Sequence, residues 1–262
     1  MPAEKRRVVL VTGASRGVGA RVATILAESG ADVAINYHTR AALAERTAAA
    51  VTELGGRAVT VQADLTEAEA VRQMFETVAT TFGRLDALVL NASGGLEPGK
   101  PSDYAMQLNA RAQANLVDAA LPLMPAGSRI VFVTSHDAHF HGQRPPFPPY
   151  EPIAASKKAG EDALRARIPQ LTARGIDLLV VSGDMIDNTI TATMLERAYR
   201  GLLALRRAQV GELVTTEEFA AAVASTTIGP AQSTGTTTYV GSTEVASFLW
   251  EAQWDEYFET KK

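Results

Sequence analysis

The 262 residues contain no cysteine. Disulfides, thiolate nucleophiles and cysteine-ligated zinc are excluded by that absence, which is compatible with a cytoplasmic setting. Excess positive charge is also missing: 25 Lys and Arg face 29 Asp and Glu, for a net charge of −4. Nucleic acid and anionic membrane surfaces both demand a basic face, so neither is the expected partner. Long apolar runs are absent too. The stretch "VVLV" behind Lys5, Arg6 and Arg7 is too short for a signal-peptide core and is broken by Thr12 and Gly13. No other segment approaches the length needed to cross a bilayer. What the chain does have is 46% apolar and 21% charged residues, enough for one large core rather than two small ones. No repeat, low-complexity tract or linker divides residues 1–262, and a single cytoplasmic domain is expected.

Short β-branched runs alternate with longer helical patterns. Strands are expected at 7–12, 32–36, 58–62, 87–91, 129–134, 177–182 and 236–241, and most of these are continuous apolar runs of the kind buried on both sheet faces. Helices are expected at 17–29, 40–54, 67–82, 103–121, 152–174, 189–209 and 216–225. Strict alternation implies an α/β, doubly wound sheet of about seven parallel strands flanked by helices. Residues 136–149, "HDAHFHGQRPPFPP", break the rhythm. They read as a long loop after a strand's carboxyl end, too rich in proline, histidine and glycine for helix, with Pro145–Pro146 and Pro148–Pro149 stiff and extended.

After the first strand comes "TGASRGVGA", with Gly13, Gly17 and Gly19. A glycine turn between strand and helix lets backbone N–H groups and a helix N-terminus approach a pyrophosphate. The loop has the form T-G-x-x-x-G-x-G, and here the chain resembles the short-chain dehydrogenase/reductase family over nearly its whole length. Further motifs carry the resemblance: "QADL" with Asp64 and Leu65, "LVLNASG" with Asn91, Ala92 and Ser93, "QLNARA" with Asn109, "VFVTS" with Ser135, and "SGDMIDNT" with Gly183 and Ile186. Leu90, Ser93 and Ser182 depart from the family pattern. The resemblance implies a Rossmann-type fold that binds a nicotinamide cofactor through Gly13, Ser15, Arg16, Gly17, Val18 and Gly19, with Asp64 and Leu65 at the adenine. Asn91, Ala92, Ser93, Gly183 and Ile186 complete that assignment.

An acidic residue at the end of the second strand would bind a ribose 2′-hydroxyl and repel a 2′-phosphate. This chain reads "INYHTR" there, Asn36, Tyr37, His38, Thr39 and Arg40. Arg16 and Arg40, with hydroxyl donors and no carboxylate, suit a dianion, so the expected cofactor is NADPH/NADP.

The resemblance further implies hydride transfer between nicotinamide and a carbonyl carbon, with a serine polarising the oxygen and a Y-x-x-x-K helix supplying proton and cation. Ser135 and Asn109 fall on the family's serine and asparagine, and Lys157 on its lysine. The residue four positions before Lys157 is Ile153, which can neither give nor take a proton. Three replacements are weighed. Tyr150 stands just ahead of the helix that Pro152 opens, and its ring can fold toward the site or pack on Phe147. His136, His139 and His141 follow Ser135 and titrate in the useful range, although no metal is expected there. Alternatively, the substrate's own hydroxyl or water completes protonation. The expected activity is NADPH-dependent reduction of a bulky, aromatic or polyketide-like ketone. The alternatives are alcohol oxidation, or a non-catalytic NADP(H)-binding sensor or scaffold. Segment 188–214, with Met194, Leu195, Leu202, Leu203 and Leu205, reads as the substrate cover or as a surface helix pair packed on the core. Family resemblance also implies a homodimer or homotetramer built through the helices at 103–121 and 152–174, and the aromatic segment "FLWEAQWDEYF" is expected either to pack on a neighbour or to cover its own site.

Overall fold

Val8–Val11 and Ala87–Leu90 carry only apolar side chains, and Arg129–Ser135 and Asp177–Gly183 keep their polar side chains to their ends, because both of their faces are covered. In the computed structural model, which describes residues 6–144 and 146–243, they are the centre of one sheet. The strands are β1 (Val8–Val11), β2 (Asp32–Tyr37), β3 (Ala58–Gln62), β4 (Ala87–Leu90), β5 (Arg129–Ser135), β6 (Asp177–Gly183) and β7 (Thr237–Val240). They run in the order β3-β2-β1-β4-β5-β6-β7, and every pairing is parallel. The winding reverses between β1 and β4, which opens a crevice at their carboxyl ends.

Alternation along β1 sends Val8 and Leu10 to one face, and Val9 and Val11 to the other. The helices are α1 (Gly17–Glu28), α2 (Ala41–Glu53), α3 (Ala68–Phe82), α4 (Tyr104–Met106), α5 (Ala112–Ala120), α6 (His136–His139), α7 (Glu151–Arg165), α8 (Ile168–Thr172), α9 (Ile190–Ala198), α10 (Leu202–Val210) and α11 (Thr216–Ile228). Met74 and Phe75 of α3, Leu116 of α5 and Leu164 of α7 cover the first face. Leu26 of α1, Val51 of α2 and Phe219 of α11 cover the second. Each such side chain contributes roughly 1.5–3 kcal/mol when fully withdrawn from water. A third, smaller cluster of Phe147, Tyr150, Ile153, Leu195 and Leu202 stands above the carboxyl edge and joins α7 to α9 and α10.

Four expectations need correction. The helix at 103–121 is interrupted by a π-helical turn, Gln107–Arg111, a feature that recurs at functional sites. Asn109 in that turn spends its side chain across the chain, on Gly94 and Ser156. The helix at 152–174 stops at Arg165 and restarts as α8, because Pro169 is tolerated only in a first turn. The helix at 189–209 divides at Gly201, whose φ of 94° no helix allows, and Glu196 accepts hydrogen bonds from the Gly201 and Leu203 N–H groups at 2.7 and 2.9 Å. Finally, the 136–149 loop contains helix. Ser135 caps α6 by accepting from the Ala138 N–H at 3.4 Å, and Pro148–Tyr150 forms a 3₁₀ turn instead of an extended stretch. A hydroxyl just before the turn and prolines at its first positions favour helical starts.

None of the helices among the described residues is long and apolar enough to cross a membrane. Pro145 and the 248–258 aromatic segment lie outside the described residues.

Candidate active site

Thr12 ties the ends of β1 and β4 together: its hydroxyl accepts from the Asn91 and Ala92 N–H groups at 2.9 and 3.0 Å. The Asn91 amide donates to the Thr12 carbonyl at 2.9 Å. Between them the chain turns at Gly13, with φ at +64°. Gly19 enters α1 so close to this turn that a Cβ would stand 2.6 Å from both Asn91 Nδ2 and the Gly13 carbonyl oxygen. The first N–H groups of α1 receive no side-chain cap. A glycine cradle, an uncapped helix start and open space at Gly17 fit a phosphate-bearing ligand.

This cradle floors a cavity of about 780 Å³. Every residue expected at the cofactor lines it, including Ser15, Arg16, Val18, Tyr37, Thr39, Leu65, Ser93, Gly183 and Ile186. Asn36 differs from its expected use. It lies inside β2, where its Oδ1 accepts from Gly13 N at 3.1 Å and its amide donates to Val61 and Ala63 carbonyls at 3.3 and 3.4 Å. It shapes the loop and has no donor left for a phosphate. Arg16 and Arg40 border the same end, and neither has a carboxylate partner among the described residues. The nearby carboxylate, Asp64, accepts from the Thr66 N–H and hydroxyl at 2.9 and 2.7 Å, with His38 3.4 Å away. An arginine pair facing a single engaged carboxylate fits a cofactor with an added phosphate.

At the other end Ser135, Tyr150, Ile153 and Lys157 line the cavity. Asn109 stands behind them, buried. Its amide reaches Ser156 at 3.0 Å, and Gly160 lets α7 approach so closely that a Cβ would lie 2.1 Å from the Asn109 carbonyl. Tyr150 ends the 3₁₀ turn that leads into α7, and Lys157 stands on α7 seven residues further on. Between them Ile153 packs into the apolar cluster with Phe147 and Leu195. The Tyr150 hydroxyl lies beside Ser135, whose side chain acts to lower its pKa. Burial pushes that phenol up to about 12 despite the serine. Burial alone brings the Lys157 amine down to about 8, and the amine has no hydrogen-bond or ion-pair partner among the described residues.

The three histidines go separate ways. His136 meets Ser182 through Nδ1 at 2.7 Å, and burial drives it down to about 4, so it is neutral at physiological pH. His139 is clamped between Glu161, at 2.8 Å, and the Tyr239 hydroxyl, at 2.9 Å. His141 pairs with Glu151. Among the described residues no three or more His, Asp or Glu side chains are placed to hold a metal ion.

The sequence alone assigned no substrate-end role to Asp137 or Arg144, or to the buried Asp184–Arg206 pair, all of which line the cavity. The spacing of Asp137 two residues after Ser135 was the available signal.

The short chain dehydrogenase family model matches residues 7–199. The 1-cyclohexenylcarbonyl-CoA reductase of Streptomyces collinus is 35% identical over 192 residues, 71% of this chain and 67% of that protein. The hydroxynaphthalene reductase-like protein Arp2 of Metarhizium guizhouense is 34% identical over 168 residues, and the match spans 61% of each chain. The crystal structure of the angucycline C-6 ketoreductase LanV with bound NADP superposes with a TM-score of 0.75 at 30% identity, covering 90% of this chain and 95% of that one. With a parallel sheet that reverses at β1 and β4, a glycine cradle there and a serine at the end of β5, the chain belongs to the short-chain dehydrogenase family and is an oxidoreductase of the carbonyl/alcohol class.

Proposed function

We propose that this chain is a single-domain, NADPH-dependent ketoreductase for bulky aromatic ketones, in which Tyr150 replaces the acid absent at Ile153. The placement of the Tyr150 phenol beside Ser135, both of them lining the cavity, carries this reading. The nicotinamide supplies hydride to the carbonyl carbon when bound. As negative charge grows on the carbonyl oxygen, Ser135 and Tyr150 donate to it, and Tyr150 transfers its proton. Lys157, buried and without a protein partner, holds the cofactor's ribose end. Arg16, Thr39 and Arg40 hold its outer phosphate, and the α1 N-terminus holds the pyrophosphate.

Reduction is the favoured direction. A phenol raised to about 12 remains protonated at neutral pH, ready to give a proton and poor at taking one. His139 and His141 are engaged by Glu161 and Glu151, and His136, which lines the cavity, is bonded to Ser182 and held neutral by burial, which favours Tyr150 as the side chain that supplies the proton. The cover is α9 with the Leu195–Leu202 cluster, apolar enough for a ring system. The names of the relatives, a hydroxynaphthalene reductase-like protein and an angucycline ketoreductase, support aromatic ketones as the substrate class. A sensor or scaffold would have no use for the Ser135–Tyr150 pair. The protein works in the cytoplasm as a homo-oligomer.

NADPH consumption by wild type and Tyr150→Phe, across aromatic ketones, tests the assignment. The phenylalanine keeps the ring in its cluster and removes only the donor, so kcat should fall about 10²- to 10⁴-fold with little change in KM. Loss of less than threefold would remove Tyr150 from the chemistry.

A further inference from the structure

Among the described residues, the carboxylates in and beside the substrate end of the cavity are engaged, with one exception; Glu97 accepts from the Gly95 N–H at 2.6 Å. Asp184 holds Arg206 through two bonds of 2.7 and 3.0 Å. Glu161 is shared by His139 and Arg165, and Glu151 meets His141. Asp137 has a single long contact, from the Phe147 N–H at 3.5 Å, and no ion-pair partner among the described residues. It stands in the first turn of α6, two residues after Ser135, and lines the cavity with Phe147, Tyr150 and Leu195. Burial pushes its carboxyl up. A carboxylate withdrawn from water without donors is unfavourable until a donor arrives.

We propose that Asp137 is a specificity-determining residue that accepts a hydrogen bond from a hydroxyl on the substrate ring beside the reacting carbonyl. The proposal rests on the ketoreductase reading. Ser135 and Tyr150 occupy the carbonyl oxygen, and Asp137 lines the same cavity, so the donor it accepts from is a group of the substrate other than that oxygen. A cationic donor is disfavoured, because Lys157, Arg144 and Arg206 line the same cavity. A neutral hydroxyl remains. In a free hydroxyl-flanked ketone the hydroxyl bonds to its own carbonyl. A carboxylate is the stronger acceptor, so the hydroxyl turns to Asp137 and frees the carbonyl oxygen for Ser135 and Tyr150.

The test compares 8-hydroxy-1-tetralone with its 8-methoxy analogue, in wild type, Asp137→Asn and Asp137→Ala. A hydrogen bond to a charged group corresponds to about 10- to 100-fold, so wild-type kcat/KM should favour the hydroxyl compound by that factor. The preference should shrink to threefold or less in Asp137→Ala and fall to an intermediate value in Asp137→Asn. A structural role through Phe147 would lower both substrates together and leave the ratio intact, which overturns the proposal, as does a wild type without preference. If wild type reduces neither ketone, the ketoreductase reading fails. Calorimetric titration of the NADPH-loaded protein with the two compounds then decides on Asp137: tighter hydroxyl binding that Asp137→Ala abolishes supports it, and equal Kd values refute it.

Discussion

Lys157 is 9% exposed and its amine meets no acceptor among the described residues, so replacing it should stabilise the protein while disabling it. Burial lowers the amine from 10.5 to about 8. In the unfolded chain the lysine keeps its proton up to the higher value, so between pH 8 and 10.5 the unfolded state binds more protons than the folded one. Stability therefore rises with pH through that window, and below pH 8 the folded state carries the full penalty. At about 1.4 kcal/mol per pH unit, the penalty at neutral pH is on the order of 3 kcal/mol. Lys157→Met keeps the aliphatic stem and removes the charge. The cofactor-free variant, unfolded in urea at pH 7, should exceed wild type by about 1–3 kcal/mol, a range that allows for partial hydration of the amine. The difference should narrow as pH rises toward 10. Isothermal titration should show NADP affinity lower by tenfold or more. A variant less stable than wild type at pH 7, or a difference that does not depend on pH, would refute the reasoning.

Three further outcomes complete the set. Gly19→Ala places a Cβ 2.6 Å from Asn91 Nδ2 and the Gly13 carbonyl; the loop must open, and cofactor titration should show at least a tenfold weaker Kd with the far-ultraviolet spectrum unchanged. Glu161, 1% exposed, bridges α7 to α6 through His139 and to β7 through Arg165, so Glu161→Ala should destabilise by about 3–5 kcal/mol in urea. Burial pushes the Glu161 carboxyl up, and the hydrogen bonds from His139 and Arg165 outweigh it to leave the group below its ordinary value. Its stabilisation is thus present above pH 4.5 and lost as pH falls below it, so acid unfolding of the alanine variant should lack that component.

Strands were legible because burial on both sheet faces leaves unbroken apolar runs: "RIVFVT" is β5 to within one residue. Helix ends were less legible, since what ends them is tertiary. The π turn coincides with Asn109, which reaches Gly94 and Ser156, partners 15 and 47 residues away. Much of the cavity could be found through motifs around the glycine turn. Asn36 was identifiable as a residue near the cofactor, but its bonds to Gly13 and Val61 depend on strand neighbours that no linear pattern discloses. Asp137 was passed over for a related reason. Nothing in the linear pattern marks it, and it stands out only once the partners of Asp184, Glu161 and Glu151 are known.

The placement of Tyr150 has an engineering consequence. It belongs to the 3₁₀ turn Pro148–Tyr150, hinged on Phe147, whose carbonyl accepts from the Tyr150 N–H at 2.8 Å. The residue that delivers the proton is therefore carried by the same segment that walls the substrate pocket. Reshaping that wall to admit a larger ketone would move the acid with it, so selectivity and turnover in this protein should prove hard to evolve separately. Variants that widen the pocket from α9, at Leu195, would escape that linkage.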